Sequence, residues 1–388
     1  MISKIGRCCV RVAITRREVR LLVIRKRLKL KKRMKKEKVK VLNESDDKVD
    51  SAMERLQKKY GNEVLMQLDK EIDFKVEWIP TGSFALDEVM GSGLPRGRII
   101  EMFGAESSGK STMSLFLMAQ IQRSGGRVAL IDAENAFDGA YAANVGLDLK
   151  KMLVSQPTTL EESMDIIKEL VETSAFDMIV IDSVSALVPK SEVEGDDFMK
   201  DTMAIQARLM SRALRILSGP ISKSKTVVIF INQIRDKVGV FYGSKTTTSG
   251  GRALKFFSSV RLQVAKGHKI EGKGEVQIGN EIIVTAVKNK VGFPFKSTTL
   301  DLYYAQGIDL QADAIDYGTL VKAIKKTGNT YSFGDVVLGV GRDKAKSALV
   351  ADPKLFEAVK KAIVVQQNKK EEREAAVMEQ LASSEEIE

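Results

Sequence analysis

The eight residues Gly104 to Ser111, GAESSGKS, satisfy the pattern G-x-x-x-x-G-K-[ST] at every fixed position. Their setting constrains the fold even more than the pattern does. An apolar run, Ile99 to Phe103, leads into the loop, and helix-forming residues, Thr112 to Gln122, leave it. Strand, glycine loop and helix in that order make a phosphate-binding loop. Glycines let backbone N–H groups turn inward as an anion nest, and the helix N-terminus adds partial positive charge. Gly104, Ala105, Glu106, Ser107, Ser108 and Gly109 then wrap the phosphates, with Thr112 beside them. Lys110 reaches the β- and γ-phosphates, and the Ser111 hydroxyl holds Mg²⁺. The chain is expected to bind a nucleoside triphosphate.

Four apolar runs predict a sheet: Ile99 to Phe103, Val128 to Ile131, Met178 to Ile181 and Val227 to Ile231. Near-continuous apolar strands separated by helical patterns indicate parallel pairing, with both faces buried. The runs end in the phosphate loop, in Asp132 and Glu134, in Asp182, and in Asn232 and Gln233. Ligands of open α/β sheets sit at the carboxyl ends of the strands, so these polar groups converge on one nucleotide. The expected fold class is α/β, a P-loop ATPase core with a mostly parallel central sheet flanked by helices. Before it, Asp46 to Tyr60 predicts a short amphipathic helix through Val49, Met53, Leu56 and Tyr60. Residues 261–303 predict further strands with hairpin connections at Gly272 and Gly274, then at Gly279-Asn280. From about 309 the pattern shifts to short helices and small strands, including Leu320 to Lys326 and Pro353 to Val365. The expected division is 1–44 basic extension, 45–78 N-terminal helix segment, 79–308 core, 309–370 small α+β C-terminal domain and 371–388 acidic tail.

Charge is concentrated at the ends. Of the 388 residues, 1–40 hold seventeen Lys/Arg against Glu18 and Glu37, a local net of +15 within a total of +11. The rest therefore carries −4, and the basicity cannot show that the folded part binds nucleic acid. The tail holds seven glutamates against Arg373. Three readings of the extension stand: an organelle transit segment, a nucleic-acid-binding arm, or an upstream stretch before a true start at Met34. No apolar stretch approaches the ~20 residues that span a bilayer. Cys8 and Cys9 are adjacent and His268 is the single histidine, so no Cys/His metal cluster forms, and a reducing, cytosol-like compartment fits.

Asp182 closes the strand DMIVID, where a P-loop ATPase holds Mg²⁺ directly or through water. Glu134 and Asp132 are two residues apart, and on spacing alone either is the base for the attacking water. Gln233 offers an amide able to hydrogen-bond a γ-phosphate, or simply a buried, satisfied one. Two segments follow strand ends as loops of functional size. The first, Pro189 to Asp201, leads into a helix whose Arg208, Arg212 and Arg215 share one face, a solvated stripe or a phosphate contact. The second, Arg235 to Gly251, is basic and carries Phe241 and Tyr242, which are either a buried pair or aromatics that stack on single-stranded bases.

The blocks WIPTGSFALDEVMGSGLPRGRIIEMFGAESSGKST, LIDAENAFD, IVIDSVSALVPKSEVEG, IFINQIRDKVGV, SGGRALKFFSSVRL and VKNKVGFPFK strongly resemble the bacterial RecA recombinases, from about Ser45 to about residue 365. The resemblance implies an ATPase with Mg²⁺ that polymerises on single-stranded DNA and exchanges strands with a duplex. It implies Glu134 as base, Gln233 as γ-phosphate sensor, and Asp138 and Tyr141 beside the adenine. It implies DNA contacts from the two loops, through Arg208, Arg215, Phe241, Tyr242, Gly250, Gly251 and Arg252. Lys288 and Lys290 resemble residues that reach the ATP of a neighbouring subunit, and the N-terminal helix would pack on that neighbour. A winged C-terminal domain and acidic tail would receive and restrain double-stranded DNA. Implied too are a helical filament, an SOS-type damage response with a LexA-type repressor, recombination mediators, no membrane, and a bacterial cytoplasm (or an organelle matrix if 1–40 is a transit segment). Ala105 replaces the family's usual proline. Ser244-Lys245-Thr246 replaces Asn-Pro-Glu, adding a positive charge and removing a rigid turn. The alternatives are a hexameric helicase with the same core, and a nucleotide-gated DNA scaffold with negligible hydrolysis.

Overall fold

A computed structural model describes residues 48–61, 76–195, 203–236, 246–272, 274–304 and 306–385. The basic extension, Phe241, Tyr242, Ser244 and Lys245 lie outside the described residues. The chain divides into two units, Met1–Lys75 and Val76–Glu388. In the first, a helix (α1) covers residues 48–60, as the spacing of its apolar residues predicts.

The second unit begins with β1 (Trp78–Ile79), α2 (Phe84–Met90), β2 (Leu94–Pro95), β3 (Ile99–Gly104), α3 (Lys110–Arg123) and β4 (Val128–Asp132). It continues through α4 (Gly139–Val145), β5 (Met152–Ser155), α5 (Leu160–Glu172), β6 (Met178–Asp182), α6 (Lys190–Val193), α7 (Met203–Ser224) and β7 (Val227–Asp236). Next come β8 (Thr246–Thr248), α8 (Ala253–Phe257), β9 (Val260–Glu271), β10 (Gln277–Asn289), β11 (Ser297–Tyr303) and β12 (Gly307–Ile308). The last elements are α9 (Leu310–Leu320), β13 (Lys325–Thr327), β14 (Thr330–Phe333), β15 (Val336–Val340), α10 (Arg342–Ala351) and α11 (Pro353–Glu385).

The central sheet runs β12, β11, β10, β9, β3, β7, β6, β4, β5, with β8 paired to the far end of β7. From β9 to β5 every pairing is parallel, and from β9 to β12 every pairing is antiparallel. The four predicted runs form β3, β4, β6 and β7, and their lack of alternation now has its reason. Met178, Val180, Val227, Ile229 and Ile231 pack on one face, with α2 and α3. Ile179, Ile181, Val228 and Phe230 pack on the other, with α5, α7 and α8. Successive side chains point to opposite faces, so a strand covered on both sides must be apolar throughout.

Several expectations are corrected. Gly279-Asn280 is no turn; both residues lie inside β10, beside register shifts against β9. A Cβ on Gly279 would stand 2.5 Å from the Leu302 carbonyl oxygen, so the glycine serves a close strand approach at a bulge. β7 does not stop at Ile231 but continues through Asn232 and Gln233 to Asp236, where β8 pairs with it. The stretch Leu320 to Lys326 is neither helix nor strand throughout: α9 ends at Leu320 and β13 starts at Lys325. Pro189 to Asp201 is not all loop, because α6 occupies Lys190–Val193; residues 196–202 lie outside the described residues. The helix from Pro353 runs past Val365 to Glu385.

A separate apolar cluster, including Ile315, Tyr317, Ile324, Tyr331, Leu338, Leu349 and Ile363, builds the C-terminal region from α9, the β13–β15 sheet, α10 and α11. Phe84 of α2 stacks on Tyr317 of α9 with ring centroids 5.9 Å apart. Asp313 of α9 accepts from the Phe84 and Ala85 N–H groups (2.7 and 3.3 Å), capping the start of α2 from outside.

Candidate nucleotide-binding active site

β3 delivers the chain to Gly104, and Lys110 opens α3 five residues after Ala105, so the phosphate loop is held between the two as its sequence predicts. Space fixes the first glycine. A Cβ on Gly104 would lie 2.1 Å from the Val264 carbonyl oxygen and 2.8 Å from Ser108 Oγ. Gly109, the residue before α3, has φ 93°, a left-handed turn that only glycine adopts freely. Ala105, Glu106 and Ser107 are exposed while Ser108 is buried. Lys110 is 7% exposed, and its Nζ donates to the Ala105 carbonyl (2.7 Å) and Ser108 Oγ (3.5 Å). Burial lowers its pKa; Asp182, Glu134 and Glu106 oppose that shift and show how many carboxylates face it.

Asp182 ends β6 in register with Asp132 of β4 and accepts a hydrogen bond from the Ser111 side chain. Burial, reinforced by Glu134 and Asp132, pushes its carboxyl up to about 6. One half-buried carboxylate and one hydroxyl brought together is the donor set Mg²⁺ takes when phosphates and water complete its shell. No group of three or more Asp, Glu, His or Cys that could hold a metal occurs among the described residues.

The geometry separates Asp132 from Glu134. Asp132 is 3% exposed, and its two oxygens accept from Ala136 N–H (3.2 Å), Phe137 N–H (3.1 Å) and Gln156 Nε2 (2.9 Å). That carboxylate shapes the turn after β4. Glu134 is exposed, and its Oε1 accepts from Ser183 Oγ (2.5 Å) and from Gln233 Nε2 (3.3 Å). Gln233 in turn lies level with Gly104 in the β3–β7 ladder. Loop, carboxylate and amide therefore meet at one end of the sheet. Ser183, which orients Glu134, was not singled out from sequence; its signal was its position directly after the strand-end Asp182.

Asp138 caps α4, accepting from Ala140 N–H (2.8 Å) and Tyr141 N–H (3.1 Å). Tyr141 OH lies 2.8 Å from Thr112 Oγ1 on the first turn of α3. On the other flank of the loop, a cavity of about 290 Å³ is lined by Ser107, Gly109, Thr112, Asn280 and Tyr304 among others. Asn280 Nδ2 donates to Tyr304 OH (2.6 Å). Sequence reading missed this flank because it comes from β10 and β11, whose pairing carries no motif.

Lys288 and Lys290 are not at this end. The Lys290 N–H bonds to Ser259 O and the Ser259 N–H to Ile99 O, which sets Lys290 level with the start of β3, while Lys288 pairs with Arg261 and so lies level with Glu101. Gly104 lies about five residues, or ~17 Å, further along the strand than Lys290, and about three residues, or ~10 Å, further than Lys288. Lys288 Nζ donates to the Lys255 (2.5 Å) and Phe256 (3.1 Å) carbonyls, and Lys290 Nζ to Phe256 (3.2 Å), at the C-terminal end of α8. Burial, then Lys290 and Arg261, push the Lys288 ammonium down to about 8.

Arg208, Arg212 and Arg215 are exposed on α7, while Met210, Leu214 and Leu217 of the same helix are buried in the core. Gly250 and Gly251 (φ 76° and 78°) bring the second loop back against this helix; a Cβ on Gly251 would meet Ala207 Cβ at 2.8 Å. Exposed Arg252 follows at the start of α8. Phe241 and Tyr242 lie outside the described residues.

In the sheet, β7 stands between the loop-bearing strand β3 and β6, which carries Asp182. A phosphate loop on β3 with a strand-end carboxylate on β6, one strand further on, defines the class: P-loop ATPases.

Comparison with known proteins narrows the class. A RecA N-terminal domain model matches residues 47–309 and a RecA C-terminal domain model matches residues 312–368. Protein RecA of Lactobacillus johnsonii is 47% identical over 323 residues, covering 82% of this chain and 89% of that protein. Protein RecA of Bacillus subtilis is 47% identical over 303 residues, covering 78% and 86%. A RadB recombinase crystal structure covers 59% of this chain and 97% of its own at 22% identity, with a TM-score of 0.44, too low to carry weight. The chain belongs to the RecA family.

Proposed function

We propose that this protein is a DNA-dependent ATPase that polymerises on single-stranded DNA and catalyses homologous pairing and strand exchange in recombination and repair. One observation carries the ATPase reading: Glu134 and Gln233 share a hydrogen bond beside the phosphate loop, with Asp132 committed elsewhere. Glu134 takes the proton of the attacking water, held at Oε1 by Ser183. Gln233 bonds either Glu134 or the γ-phosphate, so its position reports whether the γ-phosphate is present. Lys110 and the loop N–H groups hold the phosphates, and Ser111 and Asp182 would hold Mg²⁺, which would neutralise negative charge on the phosphates. The base of ATP lies between the Asp138–Tyr141 flank and the Tyr304 cavity.

Lys288 and Lys290 are too far along the sheet to serve their own loop, so they meet the ATP of the next copy. α1 packs on a neighbour to make that contact. A head-to-tail contact that does not close gives a helical filament. Arg208, Arg215, Arg252 and the second loop, with Phe241 and Tyr242, lie against single-stranded DNA. Residues 79–308 serve as the core, and 309–370 as a domain that receives duplex DNA, supported by its separate apolar cluster. Recombination mediators, a LexA-type repressor, a damage response and a bacterial cytoplasmic site belong to the same proposal, supported by family membership. Among the described residues no helix is long and apolar enough to cross a membrane.

The test is Glu134→Gln, which keeps an oxygen for Ser183 and Gln233 but cannot take a proton. Turnover should fall about 10²- to 10⁴-fold, while ATP-dependent DNA binding persists. Wild-type turnover in this variant would remove Glu134 from the mechanism.

A further inference from the structure

Glu101, in the middle of β3, is 0% exposed and lies on the sheet face packed by Ile99, Phe230 and Leu254. A buried carboxylate is costly to desolvate, and well-packed apolar residues in place of it and its partner would hold the fold about as well. Its chemistry touches no phosphate. Both oxygens are nonetheless used: Oε1 accepts from Asn232 Nδ2 (3.0 Å) and Oε2 from Arg261 Nε (2.5 Å).

One partner leads toward the loop-bearing end of the sheet and the other toward the two lysines. Asn232 precedes Gln233 and accepts its backbone N–H (2.9 Å); its own amide also donates to Ser249 O (3.1 Å), where the second loop returns. Asn232 thus ties the phosphate-sensing strand to both ends of that loop. Arg261 lies over the Phe103 ring (4.5 Å) and directly opposite Lys288 in the β9–β10 ladder. Lys288 and Lys290 together hold the end of α8, which begins where the second loop stops. A single carboxylate therefore links the end of the sheet that senses its own nucleotide to the end that carries the two lysines.

We propose that Glu101 is a positioning residue that couples successive ATP sites: through Asn232 and Arg261 it makes the Gln233 end of β7 and the Lys288–Lys290 end of β10 move together. This rests on the reading that Lys288 and Lys290 meet the next copy's ATP. A displacement of Gln233 by γ-phosphate is then felt at the lysines serving the neighbour, and by linkage the reverse holds.

The experiment measures ATP hydrolysis against ATP concentration on saturating single-stranded DNA, for the full chain, Glu101→Gln, and the double variant Glu101→Met/Arg261→Met. The double variant removes the buried carboxylate together with its half-buried partner, so its fold should survive. A fluorescent ATP analogue reports nucleotide affinity without DNA, and thermal denaturation reports folding. The wild type should be cooperative. The double variant should keep wild-type melting, both variants should keep analogue affinity without DNA, and both should lose cooperativity, with about 5- to 150-fold more ATP needed for half-maximal hydrolysis, the span of typical coupling energies. Retained cooperativity in both variants would overturn the proposal, as would parallel loss of folding and analogue affinity, which would assign Glu101 to stability alone. A wild type that neither cooperates nor polymerises would instead refute the filament reading on which the proposal depends.

Discussion

Replacing Gly104 with alanine adds one methyl group at the most crowded point of the phosphate loop. That carbon would sit 2.1 Å from the Val264 carbonyl oxygen, whereas ordinary contact begins at 3.4 Å. One of the two must retreat by about 1.3 Å. Val264 belongs to β9, which is paired to β3 up to Phe103, so the strand resists and the loop moves. Overpacking of this kind costs about 1–3 kcal/mol, which lowers the melting temperature by several degrees in a domain of this size. The larger effect is on chemistry. A shift near 1 Å in groups that position a substrate costs on the order of 100-fold, or about 2.7 kcal/mol of transition-state stabilisation. Steady-state ATPase with saturating single-stranded DNA, alongside a melting curve, separates the two. Turnover within threefold of wild type, or a loss fully explained by unfolding, would refute the argument that Val264 sets the height of the loop.

Removing both Arg208 and Arg215 should weaken single-stranded DNA binding and flatten its salt dependence by roughly 1.4 in log–log slope, about 0.7 per lost phosphate contact; an unchanged slope in a fluorescence titration would place them on a merely solvated face. Asp313, 5% exposed, has its carboxyl raised by burial to about 7, so the folded state holds its proton more tightly than the unfolded chain does. Its contribution to stability is full below the unfolded value and is lost as pH rises through 7. Asp313→Asn should therefore melt progressively closer to, or above, the wild type as pH is raised from about 5 to 8; a constant difference across that range would show that the group does not titrate there.

The legible part of the fold is the part buried on both sides. β3, β4, β6 and β7 stand out as apolar runs because helices cover each face, and the phosphate loop follows from β3 ending where it does. β5 escaped notice: it is a four-residue edge strand with Leu153 and Val154 partly exposed, and edges lack that signature. β10 was misjudged at Gly279-Asn280, since a glycine that admits a close strand looks in sequence like one that makes a turn. In the site, Asp132 and Glu134 are equivalent by spacing, and their partners distinguish them: Ala136, Phe137 and Gln156 on Asp132, Ser183 and Gln233 on Glu134. The lysines of VKNK carry no address of their own. Their separation from the loop emerges from the register of β10 on β9 and of β9 on β3, long-range pairing that no local pattern encodes. The Glu101 network is hidden for the same reason: its three members lie on three different strands.

That nucleotide is completed by a second copy of the chain is the claim on which the rest depends. Light scattering and electron microscopy of the purified protein, with ATP, Mg²⁺ and long single-stranded DNA, test it most directly. Long helical filaments should form with ATP, dissolve as it is consumed, and persist with Glu134→Gln. Single subunits or closed rings under saturating ATP, Mg²⁺ and DNA would contradict the account.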